Sequence, residues 1–142
     1  MLDLFAGTGA VGIEALSRGA AHATFLERGG GPTGVLRRNL KELGLCERAR
    51  VLRMDARRGL ARLRREGLRF DWVFADPPYA DGWSHWLAHD PAVVDVLVPS
   101  GILILERAHA AEKTPEGGEG LRLIGSRAYG SSCFDWYEET GE

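Results

Sequence analysis

Hydrophobic positions along this chain follow two rhythms. Short apolar runs alternate with stretches in which apolar residues recur every three or four positions. The runs "MLDLF" (1–5), "HATFL" (22–26), "RVLRM" (50–54), "FDWVFA" (70–75) and "GILILE" (101–106) read as strands. Between them lie helical patterns. "AVGIEALSRG" closes at Gly19. "PTGVLRRNLKELG" carries Pro32 in its first turn, puts Leu36, Leu40 and Leu43 on one face and stops at Gly44. "ARRGLARLRREG" turns Leu60 and Leu63 inward and its arginines outward. Residues 83–97 read as helix broken at Pro91, and 108–119 as polar loop. "LRLIGSRA" and "SCFDWYEE" flank "YGS" and predict a hairpin that ends the chain.

Strand and helix in repeated alternation predict an α/β fold: a mostly parallel, seven-stranded sheet with helices on both faces and a C-terminal antiparallel hairpin. No linker, repeat or low-complexity tract divides the chain, so residues 1–142 are expected to form one domain. Ligands of such sheets bind beyond the carboxyl ends of the strands, at the point where strand order reverses. The residues that follow the first four strands therefore carry most of the chemistry.

Composition narrows the picture slightly. A chain of 142 residues with 44% hydrophobic content can bury a core without staples. Cys46 and Cys133 are far apart and read as free thiols of a reducing compartment. No apolar run approaches the roughly 20 residues of a membrane span, and no signal peptide opens the chain. A cytoplasmic protein without a membrane partner is expected. The net charge of −2 excludes a generally basic nucleic-acid binder. Arginines nonetheless crowd between Arg48 and Arg69, either as a solvated helix face or as a local phosphate patch.

Strand one ends in "FAGTGAVG", where Gly7, Gly9 and Gly12 fit G-x-G-x-x-G. That spacing suits a nicotinamide dinucleotide, S-adenosylmethionine or a purely structural turn. Asp3, inside the strand, favours S-adenosylmethionine: a carboxylate there attracts an ammonium group and repels a pyrophosphate. Glu27, after strand two, can accept hydrogen bonds from ribose hydroxyls, or be a surface acid. Asp55, after strand three, can accept from an adenine amine, cap the following helix, or do both. Strand four ends in "FADPPY". Two prolines remove two N–H donors and stiffen the backbone. Asp76 and the Pro77 carbonyl then offer two acceptors suited to one planar –NH₂ group, with Tyr79 as a stacking face for its ring.

Other constellations are weaker. His85 and His89 have helical ligand spacing, but the Glu of H-E-x-x-H is absent, so packing or surface histidines and no metal are expected. No serine sits in a G-x-S-x-G elbow. Trp72, Trp83, Trp86 and Trp136 read as core and rim packing. Tyr129 reads as a turn residue, with substrate contact as the alternative.

The residues "LDLFAGTGAVGIEALSRGA", "FLERG", "LRRNLKELGL", "VLRMDA", "FADPPY" and "SRAYGSS" together resemble the amino-methyltransferases. More narrowly they resemble the RsmD family, bacterial guanine-N2 methyltransferases of small-subunit ribosomal RNA. The resemblance implies a Rossmann-like class I methyltransferase fold. It implies S-adenosylmethionine as cofactor, S-adenosylhomocysteine as product and no metal. By the family pattern Asp3, Phe5, Ala6, Gly7 and Gly9 would hold the methionine end of the cofactor, Glu27 the ribose, and Asp55 with Ala56 the adenine. Asp76, Pro77, Pro78 and Tyr79 would receive the target base, Asp76 also touching the cofactor. The partner would be ribosomal RNA or the small ribosomal subunit particle, met by a monomer. Two departures stand out. Family members carry a few dozen residues before the first strand, which here begins at Met1, so a truncated gene product, a fragment or a wrongly called start is expected. Gly29-Gly30-Gly31 replaces the usual turn after the ribose acid, and with three helix-averse residues a loop and a looser ribose pocket are expected there. The rival readings are a DNA adenine or cytosine amino-methyltransferase, a nicotinamide-linked oxidoreductase, and a non-catalytic cofactor- or RNA-binding module.

Overall fold

The structure is a computed structural model and describes residues 1–79, 82–108 and 113–142. Seven strands form one sheet in the order β3-β2-β1-β4-β5-β7-β6. They are β1 (Leu2–Asp3), β2 (Ala23–Leu26), β3 (Ala49–Leu52), β4 (Phe70–Ala75), β5 (Leu97–Ala108), β6 (Leu121–Tyr129) and β7 (Ser132–Glu139). The first five are parallel, and β7 runs antiparallel between β5 and β6. The chain builds outward from β1 to β3, then returns to lay β4 on the other side of β1. That reversal opens a crevice at the carboxyl ends of β1 and β4.

Helices α1 (Ala10–Ser17) and α2 (Gly30–Glu42) cover one face, packing Leu16, Leu36 and Leu40 on Phe25. Helices α3 (Ala56–Arg65), α4 (Trp83–His89) and α5 (Pro91–Asp95) cover the other, packing Leu60, Leu63, Leu87 and Val93 on Leu26, Val73, Leu103 and Tyr137. Adjacent residues Phe25 and Leu26 enter opposite cores, as strand pleating requires. Asp90 starts α5 by accepting from the Ala92 N–H at 2.8 Å, with Pro91 in the first helical position.

Three expectations need correction. The first turn of α2 is helical despite its glycines: α2 begins at Gly30, and the Thr33 amide closes onto the Gly29 carbonyl at 3.1 Å. Tertiary contact outweighs the propensity cost. The Thr33 hydroxyl binds the same carbonyl at 2.6 Å, and the Arg53 guanidinium packs 2.9 Å from where a Cβ on Gly30 would stand. Leu43 is exposed at the end of α2, because Gly44 reverses the chain with φ +68 and Leu45 enters the core instead. Strand β5 starts at Leu97, four residues before the apolar run "GILILE". Residues 109–112 of the expected 108–119 loop lie outside the described residues.

The terminal hairpin is held by a buried ion pair, Arg107 Nε to Asp135 Oδ2 at 2.6 Å. Ser126 donates to Asp135 at 2.6 Å, so the buried carboxylate is well satisfied. Gly12 illustrates the third glycine of the motif: a Cβ there would stand 2.3 Å from a ring carbon of buried Phe25. Gly12→Ala is expected to destabilise the fold by about 1–3 kcal/mol, an overpacking cost measurable by urea unfolding.

Candidate active site

The ends of β1 to β4 converge on one cavity of about 720 Å³. It is lined by Phe5 after β1, Glu27 after β2, Asp55 and Ala56 after β3, and the Asp76–Tyr79 segment after β4. The volume is that of a pocket for a cofactor-sized ligand.

Glu27 is the most firmly held of these groups. Its Oε1 accepts from the Gly7 amide at 3.0 Å and its Oε2 from the Gly29 amide at 2.6 Å. The glycine loop and the start of α2 thus orient one carboxylate, leaving further lone pairs for a ligand. Gly7 needs its φ of +56 to make this turn, and among the described residues no heavy atom beyond its chain neighbours lies within 4 Å of where its Cβ would be. A ligand can therefore approach that backbone closely. Gly9, φ +90, instead makes room for Leu36 of α2. The expectation of a loose ribose pocket does not follow from this geometry, since Gly29 itself ties down Glu27.

Asp3 is buried in β1 between Phe25 of β2 and Phe74 of β4. Burial pushes its carboxyl up to about 7, helped by the charges of Asp76 and Glu27 and opposed by a hydrogen bond from the Phe5 amide. Such a group attracts a ligand cation. Asp55 caps α3 by accepting from the Arg58 amide at 3.0 Å, so the capping role read from the sequence is real. It lines the cavity as well.

Asp76 follows the buried end of β4 and is solvent-exposed. Burial of its surroundings and the charge of Glu106 raise its carboxyl to about 6. Among the described residues nothing donates a hydrogen bond to the Asp76 carboxylate or to the Pro77 carbonyl. Pro77 is buried, Pro78 exposed, and Tyr79 presents 64% of its surface. Two acceptors and an aromatic face line the cavity, and among the described residues the two acceptors have no internal hydrogen-bond partner.

A model of the family described as Conserved hypothetical protein 95, the RsmD family, matches residues 1–138. The chain belongs to this family. YlbH of Bacillus subtilis is 34% identical over 140 residues, covering 99% of this chain and 76% of YlbH. Ribosomal RNA small subunit methyltransferase D of Escherichia coli is 33% identical over 146 residues, covering 94% of this chain and 72% of that protein. A conserved hypothetical protein of Streptococcus pyogenes shares the fold with a TM-score of 0.85 at 29% identity, covering 99% of this chain and 85% of that one.

In this RsmD-family chain the cavity also holds residues that sequence reasoning treated otherwise. Trp83, read as packing, lines the cavity wall and meets Phe5 edge-on at 5.0 Å. Arg57 lies over the Trp83 and Trp86 rings at 4.7 and 4.9 Å and faces the same cavity. Met54 completes the apolar wall. The signal available in the sequence was position: Met54 and Arg57 flank Asp55 and Ala56.

The arginine run divides by use. Arg50 and Arg62 pair with Glu66, whose carboxyl they hold down at about 2, and Arg64 pairs with Asp95. Arg48 binds the carbonyls of Leu16 and Ala20. Much of the run is thus structural. His85 and His89 stack on each other at 4.1 Å, and no cluster of metal-ligating side chains occurs among the described residues. Among the described residues no helix is long and apolar enough to cross a membrane. Cys46 is an exposed free thiol and Cys133 a buried one. Tyr129 ends β6, exposed, edge-on to Phe134.

Proposed function

We propose that this protein transfers the methyl group of S-adenosylmethionine to the exocyclic 2-amino group of a guanine in small-subunit ribosomal RNA, releasing S-adenosylhomocysteine. The observation that carries this reading is the convergence of Glu27, Asp55 and the Asp76-Pro77-Pro78-Tyr79 segment on one cavity, with Asp3 buried behind it in β1 rather than lining it. Membership of the RsmD family, with a relative named as a ribosomal RNA small subunit methyltransferase, supports the class of acceptor. The reading takes ribosomal RNA or the small-subunit particle as partner, met in the cytoplasm by a monomer.

The residues present fit the cofactor. Open space at Gly7 admits a close ligand, Glu27 faces it with oriented oxygens, and Asp3 supplies negative charge for an ammonium. Asp3, Phe5, Ala6, Gly7 and Gly9 would hold the methionine end, Glu27 the ribose, Asp55 and Ala56 the adenine. Bound S-adenosylmethionine supplies a sulfonium methyl already activated for transfer. The protein's share is chiefly to position the amine, which is catalysis by proximity and orientation. A guanine amine is a poor nucleophile because its lone pair is delocalised into the ring. Asp76 and the Pro77 carbonyl accept its two N–H groups, favour a more pyramidal nitrogen and stabilise the positive charge that develops there. As nitrogen gains the methyl group it loses one proton, to Asp76 or to water. Tyr79 stacks on the base, which has left its own stack to enter the site.

The test is incubation with labelled S-adenosylmethionine and undermethylated small-subunit particles, followed by mapping of the modified nucleotide. Label at a guanine 2-amino group is expected. Label on DNA adenine or cytosine alone, or cofactor binding without transfer to any nucleic acid, would replace this reading with one of its rivals. Charge reversal at Arg57 and Arg58, which have no carboxylate partner among the described ion pairs, is expected to flatten the slope of log affinity against log salt by about one to two in RNA binding. Reversal at Arg62, already paired with Glu66, is expected to change it less.

A further inference from the structure

The parallel register of β4 and β5 pairs Phe74 with Ile104 and Ala75 with Leu105. One step further along both strands stand Asp76 and Glu106. Glu106 shares a small cleft with Pro77, Pro78, Tyr79 and Ser84, so it borders the segment assigned to the target base. It is half-buried; Arg107 lines the same cleft but turns its guanidinium to Asp135, and none of the ion pairs among the described residues involves Glu106. Its charge adds to the burial that raises Asp76. Two neighbouring carboxylates repel each other, and a purely structural role does not call for that. The pair becomes favourable when adjacent hydrogen-bond donors face it.

The three amino-bearing bases differ at this point. Guanine carries an N1–H donor directly beside its 2-amino group. Adenine and cytosine each carry a bare ring nitrogen, an acceptor, beside theirs. A carboxylate set next to the amine's own acceptors therefore attracts guanine and faces a lone pair in the other two. We propose that Glu106 is the specificity-determining residue of this site, selecting guanine by accepting its N1–H while Asp76 and the Pro77 carbonyl hold the amine. The inference rests on the guanine reading above and extends it to the means of choice.

The test uses 2-aminopurine, which keeps the 2-amino group but has a bare N1. Once the target nucleotide is mapped, particles are reconstituted with guanine or 2-aminopurine at that position, and kcat/KM is compared for wild type and Glu106→Gln. Wild type is expected to prefer guanine by about 10- to 100-fold, the worth of a hydrogen bond to a charged group. The glutamine amide can turn its NH₂ toward a bare N1, so Glu106→Gln should shrink that preference to within a few-fold, with cofactor affinity unchanged as the check on folding. A Glu106→Gln enzyme that binds cofactor normally and keeps the full guanine preference would overturn the role of Glu106 and leave the guanine reading standing. Wild-type transfer to adenine or cytosine amines in preference to guanine would overturn both.

Discussion

Asp76→Ala is expected to lower kcat for methyl transfer by about 10²- to 10³-fold or more while leaving cofactor affinity within a few-fold. The comparison is with preorganised groups at other active sites, where deletion of a single hydrogen-bonding partner of the transition-state charge costs that much. Asp76 has no competing structural role, since no described residue donates to its carboxylate and it caps no helix. Its removal should therefore spare the fold, which thermal unfolding would verify. Asp76→Asn should lose less, because the amide oxygen still accepts one hydrogen bond from the amine. The raised carboxyl adds a pH signature. Below about 6 Asp76 becomes protonated in the free enzyme, so kcat/KM should fall as pH drops through that value. The alanine variant should lack that limb. An alanine variant transferring methyl at the wild-type rate would remove Asp76 from the mechanism.

The parts of the fold that local physics decides were legible without coordinates. β4 was read to its residue limits, because Phe70–Ala75 is apolar throughout except Asp71 and closed by prolines. Helix α3 was legible because Leu60 and Leu63 keep helical spacing against a polar background. The failures have tertiary causes. The start of α2 depends on Thr33 binding the Gly29 carbonyl and on Arg53 filling the space beside Gly30, contacts that propensity cannot see. Leu43 keeps the right spacing but lies one residue before the glycine that turns the chain away. That Glu27, Asp55 and the Asp76–Tyr79 segment line one cavity was legible because the fold class itself dictates where ligands bind. Trp83 was not, since α4 reaches the cavity only through the packing of the whole sheet.

Asp3→Asn is expected to make the protein more stable and less able to bind cofactor, and the two effects share one cause. In the unfolded chain an aspartate titrates near 3.9. In the folded protein burial raises it to about 7, with the charges of Asp76 and Glu27 adding to the effect and the Phe5 amide offsetting part of it. The folded state therefore binds this proton more tightly than the unfolded state. Stability contributed by the neutral acid is fully present below about 4 and is lost as pH rises toward 7. Above 7 the ionised group costs on the order of 4 kcal/mol. Asparagine removes the charge and keeps an oxygen for the Phe5 amide, but it brings an NH₂ group that burial leaves poorly hydrated. A net gain of about 1–2 kcal/mol at pH 8 is expected, read as a rise in Tm of a few degrees. The wild-type Tm should decline between pH 5 and 8 more steeply than that of the variant. S-adenosylmethionine affinity should fall at least about tenfold, because a ligand ammonium loses the charge that faces it. Wild-type affinity should itself weaken below pH 7, where the proton competes with the ligand cation, and this dependence should vanish in the variant. A variant that is no more stable at pH 8 and binds cofactor as tightly as wild type would mean that Asp3 is neither ionised nor in contact with the ligand. A more stable variant with lost affinity would show that β1 retains a strained charge at the centre of the sheet because the cofactor's cation neutralises it.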